Sequence, residues 1–179
     1  MPSDPVRYPA RSIRIHWLMV AILALTVPLG VSLSRAPEGW GDTLYRLHWS
    51  FGMLALFVAL ARLANRLMLG APPPAASLTP LERQLSGAVH IALYGLVLLV
   101  PLLGWLGKSA YGGAITIFGL FDMPALVAEN EERAKLYLGM HKIAVFAFMG
   151  CIALHVAGAL NHLLIKRDGV MQRMLMRRD

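Results

Sequence analysis

Four long apolar runs constrain this chain more than any other feature: Ile13–Leu33, Leu47–Leu69, Ser86–Gly107 and Met140–Ile165. Each matches the ~20 residues that a helix needs to cross the hydrocarbon core of a bilayer. None shows the two-residue alternation of an outer-membrane barrel strand, so the four runs are read as transmembrane helices. The chain has 179 residues, of which 57% are hydrophobic and 15% charged. Four spans leave little of it for a soluble domain. The expectation is one all-α membrane domain over residues 1–179, folded as a four-helix antiparallel bundle. The first run follows Arg7, Arg11 and Arg14, as a signal peptide would. A signal has a shorter apolar core of ~7–15 residues, so this run is kept as a span.

Charge sets the orientation. Arg7, Arg11 and Arg14 precede the first span, Arg62, Arg66 and Arg83 flank the second link, and Lys166, Arg167, Arg173, Arg177 and Arg178 follow the last span. The two other loops mix signs, with Glu38 and Asp42 in one and Asp122, Glu129, Glu131 and Glu132 in the other. Lysine and arginine accumulate on the cytoplasmic side, so both termini are expected there. The net charge of +7 then reflects topology and anionic lipid, not nucleic acid. The tail from Arg167 to Arg178 interleaves Met171, Met174 and Leu175 with cations and is expected on the inner membrane surface, a frayed basic tail being the alternative. Ala71–Ala76 carries three consecutive prolines and reads as a stiff spacer. In the long outer loop, Gly112-Gly113 and Asp122-Met123-Pro124 predict turns, and Ala125–Tyr137 a short helix leading into the fourth span.

The spans hold polar side chains that hydrocarbon does not tolerate without a partner. His16, His48, His141 and His155 each lie inside or at the rim of a run. Span one runs outward, so His16 is on the inner side. Spans two and four run inward, so His48 and His141 are on the outer side. His155 follows His141 by fourteen residues, which places it about 21 Å deeper on the same helix face. His48 can thus meet His141 in an outer layer, and His16 can meet His155 in an inner one. Two pairs at two depths suit the axial ligation of two haems. Cys151 is the only cysteine and no Cys-x-x-Cys-His is present, so c-type attachment is excluded and haem b is expected. By depth alone His90 or His162 can replace either inner ligand, and spacing leaves the inner pair open. If they are not ligands, two imidazoles at the inner side suit a quinone that takes up protons on reduction, the plainer reading being interface histidines facing headgroup water.

Gly52, one turn after His48, leaves room for a flat macrocycle, as Gly158 does beside His155; close helix packing is the alternative for both. Arg62, fourteen residues after His48, reaches the inner depth and can bind a haem propionate, or else snorkel to the headgroups.

Arg14-Ile15-His16-Trp17, His48 with Gly52 and Arg62, His90 with Pro101, His141, Leu154-His155, and His162 followed by Lys166 and Asp168 together resemble the bacterial cytochrome b561 family. The resemblance covers nearly the whole chain. It implies superoxide oxidase activity, in which electrons pass from superoxide outside, through two bis-histidine haems, to ubiquinone inside. On this resemblance His48 and His141 hold the outer haem, His16 and His155 the inner one, and His90 and His162 fall at quinone-associated positions. Arg46, Lys108 and Lys142, with Arg133 and Lys135, are the outer cations available to attract an anion, although Glu129, Glu131 and Glu132 dilute them. The competing expectation is an electron-conducting anchor subunit for a separate dehydrogenase or hydrogenase.

Overall fold

A proline and a capping box mark where the helices begin. In the computed structural model, which describes residues 7–175, helix α1 (Ala10–Ser32) starts directly after Pro9. Helix α2 (Gly41–Leu69) ends where Gly70 adopts φ +66°, a left-handed value that favours glycine, and the Gly70 amide donates to the Arg66 carbonyl. Helix α3 (Pro80–Ala110) opens with a reciprocal box. The Thr79 hydroxyl accepts from the Glu82 amide, and the Glu82 carboxylate accepts from the Thr79 amide, so two otherwise unpaired donors are satisfied. Helix α4 (Glu131–Leu160) is capped by Asn130, whose side chain accepts from the Arg133 amide, and runs into a π-helical turn, Asn161–Lys166. Each apolar run falls within one helix and its terminal turn, and the helices extend beyond the runs because capped polar ends continue into the interfaces.

Contacts between distant ends show that neighbouring helices run antiparallel. Asn65, late in α2, donates to Ser12 at the start of α1 over 2.8 Å. Lys166, after α4, pairs with Glu82 at the start of α3. All four helices meet in a buried cluster of Met19, Ile22, Ala55, Ala59, Val97 and Phe148. Many large apolar side chains turn outward instead, among them Ile143, Leu154 and Phe146, the last 75% exposed. Such an exterior is stable only in an apolar solvent. All four helices are long and apolar enough to cross a membrane, and the chain is a multi-pass membrane protein.

The loop between α3 and α4, at the end of the bundle named outer from the charge pattern, departs from the expectation. Ile115–Ile117 (β1) pairs antiparallel with Phe121–Met123 (β2), with Thr116 opposite Asp122. Asp122-Met123 is therefore strand, not turn, and the bend falls at Phe118 and Gly119, both at positive φ. Ile115 and Ile117 bury against Met53 and Leu56 of α2. The Ser50 hydroxyl takes the Phe118 amide at 2.9 Å, and the Trp105 indole donates to the Pro124 carbonyl at 3.0 Å. The hairpin thus plugs the outer side between α2 and α3. No separate helix forms over Ala125–Tyr137. Residues 125–130 are irregular, and the helix starts at Glu131 because Asn130 caps it and two glutamates occupy its first turn, where the helix dipole favours them.

The tail differs too. Arg167 adopts a left-handed conformation that ends the helix, and Met171–Met174 forms a 3-10 turn folded against the inner end of the bundle. Arg173 is buried, donates to the Pro73 carbonyl at 2.8 Å and lies over the Tyr8 ring. It is a structural cation here, not a membrane-surface one. Arg177 and Arg178 lie outside the described residues.

Candidate functional site

The outer layer is built from α2 and α4, each steadied by a neighbour. The rings of His48 and His141 have centroids 6.3 Å apart and planes at 86°. His48 Nδ1 donates to the Thr26 carbonyl of α1 at 3.1 Å, and His141 Nδ1 donates to the Val100 carbonyl of α3 at 2.8 Å. A carbonyl can only accept, so both rings carry the proton on Nδ1 and keep the Nε2 lone pair for a ligand role. This is the supporting hydrogen bond that a metal-bound histidine ordinarily makes.

The inner layer repeats the spacing. His16 and His155 have centroids 6.3 Å apart and planes at 77°. His90 also approaches His155, but at 5.1 Å, and its Nδ1 donates to the Ser86 carbonyl at 2.7 Å. His162 stands apart from these rings, its Nδ1 donating to the Asp168 carboxylate at 2.8 Å. Arg62 donates to His16 Nδ1 at 2.6 Å and from Nε to the Tyr94 hydroxyl at 3.4 Å, so it turns into the bundle rather than out to the headgroups.

These distances test the fit to an iron porphyrin. A metal-bound imidazole nitrogen stands about 2 Å from its ion, and the ring centre lies about 1 Å beyond that nitrogen. Two imidazoles on opposite sides of one ion therefore have centroids roughly 6 Å apart. The His48–His141 and His16–His155 pairs both match, whereas His90–His155 is too close. A Cβ placed on Gly52 or Gly158 meets nothing within 4 Å, so neither glycine serves close helix packing. The donor set and the spacing suit haem at both pairs, and the tautomers suit it at the outer pair. At His16 the Arg62 guanidinium occupies Nδ1, so that ring must exchange this contact before Nε2 is free.

The outer cations are more scattered. Arg46 and Lys142 are exposed. Lys108 lies against Gly113, while Glu129 lies against the adjacent Gly112. Lys135 is neutralised by Glu131 at 2.7 Å. At the inner end, burial of Asp168 raises its pKa, but hydrogen bonds from His162, the Ser77 hydroxyl and the Val170 amide outweigh it, so the carboxyl stays below the usual aspartate range. The Thr26 and Val100 carbonyls are site groups that composition does not reveal, because every residue carries one.

Comparison with known proteins decides the family. The sequence model described as "Prokaryotic cytochrome b561" matches residues 7–177. The chain belongs to the prokaryotic cytochrome b561 family. Its relatives include "Cytochrome b561 homolog 2" of Escherichia coli (strain K12), 32% identical over 176 residues that cover 97% of this chain and 93% of the relative. "Probable superoxide oxidase CybB" of Yersinia pestis is 24% identical over 169 residues, 94% of this chain and 96% of that protein. "Cytochrome b562" of Cereibacter sphaeroides is 28% identical, covering 98% of each. Membership in the cytochrome b561 family makes this a membrane electron-transfer protein, and the cofactor implied is haem b.

Proposed function

We propose that this cytochrome b561 oxidises superoxide at the periplasmic face of the inner membrane and reduces ubiquinone at the cytoplasmic face, where both termini lie. One observation carries the reading: two histidine pairs of equal 6.3 Å spacing, one at each depth of the bundle. His48 and His141 would hold an outer haem b through Nε2, and His16 and His155 an inner one. Bound there, the two cofactors supply one-electron iron couples. With two protein ligands at each iron, superoxide needs no open coordination position. Two superoxide anions lose one electron each and leave as dioxygen, and one quinone gains two electrons and two cytoplasmic protons to become quinol. His90 and His162 line the quinone side, and Arg46, Lys108 and Lys142 draw the anion to the outer face. The relative named as a probable superoxide oxidase supports this choice of donor.

Superoxide pulses on the oxidised, haem-loaded protein test it. Haem reduction should be fast, should be suppressed by superoxide dismutase, and should slow steeply as salt rises. Slow reduction indifferent to dismutase would overturn the superoxide role in favour of an electron-conducting anchor subunit.

Arg62 adds a second test. When Nε2 of His16 serves as the ligand, its neutral ring carries the proton on Nδ1, and a guanidinium, which has no acceptor atom, cannot stay bonded there. It is then free for a propionate, which it binds bidentately. Arg62→Leu should lower the inner reduction potential, because a nearby positive charge favours the less positive ferrous state. A charge worth about 1 kcal/mol corresponds to roughly 40 mV for one electron. Potentiometric titration with an unchanged inner midpoint would exclude the role.

A further inference from the structure

We infer that Gly30 and Gly104 are positioning residues for the outer histidine pair: each leaves open the approach by which an imidazole reaches a helix carbonyl. The inference rests on His48 and His141 being ligands of one haem. The acceptors are the carbonyls of Thr26 and Val100, and each glycine stands four residues after its acceptor. In an α-helix the carbonyl of residue i already receives the amide of residue i+4, so the imidazole must use the second lone pair from the side. The Cα–Cβ bond of residue i+4 tilts toward the helix N-terminus, over that same turn. Any side chain there stands in the path of the ring.

The distances show how closely. A Cβ on Gly30 would lie 2.7 Å from His48 Cε1 and 3.1 Å from its Nδ1. A Cβ on Gly104 would lie 3.4 Å from His141 Nδ1 and 3.5 Å from its Cε1. The first cannot be met without displacing the ring, and the second stands at the edge of ordinary contact. The device occurs twice, in α1 for a histidine of α2 and in α3 for a histidine of α4. By holding Nδ1–H on a carbonyl from each side, it fixes both tautomers and keeps the ring planes at 86°. The hydrogen bond also makes each imidazole more basic, which favours ferric iron.

Gly30→Ala tests this in the haem-loaded protein, with Gly95→Ala as control, since a Cβ on Gly95 meets nothing within 4 Å. The largest g value of a low-spin ferric haem rises as its axial imidazole planes approach perpendicular. Gly30→Ala should therefore retain two haems, lower the outer haem's largest g value and raise its reduction potential, while the inner haem and the control stay as they are. His48→Ala is measured alongside. If it removes no haem, the ligand reading itself fails. If it removes one haem, yet Gly30→Ala leaves the outer g value and potential unmoved, the positioning role is overturned. Should Gly30→Ala strip the outer haem, Gly104→Val decides, because its branched carbons fill the space beside His141: a moved outer signature supports the inference and an unmoved one overturns it.

Discussion

Replacing His141 by alanine should halve the haem content of the purified protein, from two per chain toward one, as measured by pyridine haemochrome against protein concentration. The loss should fall on the outer site, because one imidazole cannot hold a low-spin iron as two do. His155→Ala should remove the inner haem instead, leaving the outer midpoint in place. The expected contrast is large because each pair has only two ring ligands 6.3 Å apart. A variant of either kind that kept both low-spin spectra would overturn the ligand assignment. Retention after His155→Ala with loss after His90→Ala would exchange one inner ligand for the other, making His16 and His90 the inner pair.

The second large effect should appear at the quinone. His162→Phe or His90→Phe should slow reoxidation of the reduced haems by a soluble quinone roughly a hundredfold, the lower range for removal of a positioned proton donor, with the visible spectrum intact. Loss of a haem would instead identify the residue as a ligand. Asp168→Asn should slow the reaction less, since its carboxylate acts through His162, which donates to it at 2.8 Å. The sign of the pH dependence follows from the lowered Asp168 pKa. Its contribution to stability is full above the unfolded aspartate value of about 3.9 and is lost as pH falls through the lower folded value. Reoxidation measured from pH 6 to 8 should therefore show no titration of this carboxyl.

The four helices were legible because bilayer thickness imposes one length on them all, and the apolar runs report that length directly. The hairpin was not, since three residues of Ile-Thr-Ile offer too little alternation to stand against a neighbouring pair of glycines. Its pairing depends on Ser50 and on the buried contact with Met53 and Leu56, which lie far away in the chain. Depth along a helix could bring His16, His90 and His162 to one level, yet it could not choose among them. That choice needs the lateral distances between rings, which depend on how the helices rotate against each other. Arg62 was placed at the right depth by counting turns, but its contacts with His16 and Tyr94 come from two other helices. The tail was misjudged because alternating methionines and arginines describe an amphipathic surface helix as well as a packed turn. The left-handed Arg167 and the acceptor at Pro73 select the packed form.

That packed turn bears on the order in which the molecule is assembled. The Trp17 indole donates to the Met174 carbonyl across 157 residues of sequence, and the Tyr8 amide donates to the Arg173 carbonyl. The first span has therefore entered the membrane long before its inner-side partners are synthesised. Until then Trp17, adjacent to His16, has no Met174 carbonyl to bind, and the inner end of the bundle lacks the buried Arg173. Contacts this distant in sequence form late, so the end of the bundle that holds Trp17 and Arg173 is the last part of the molecule to close.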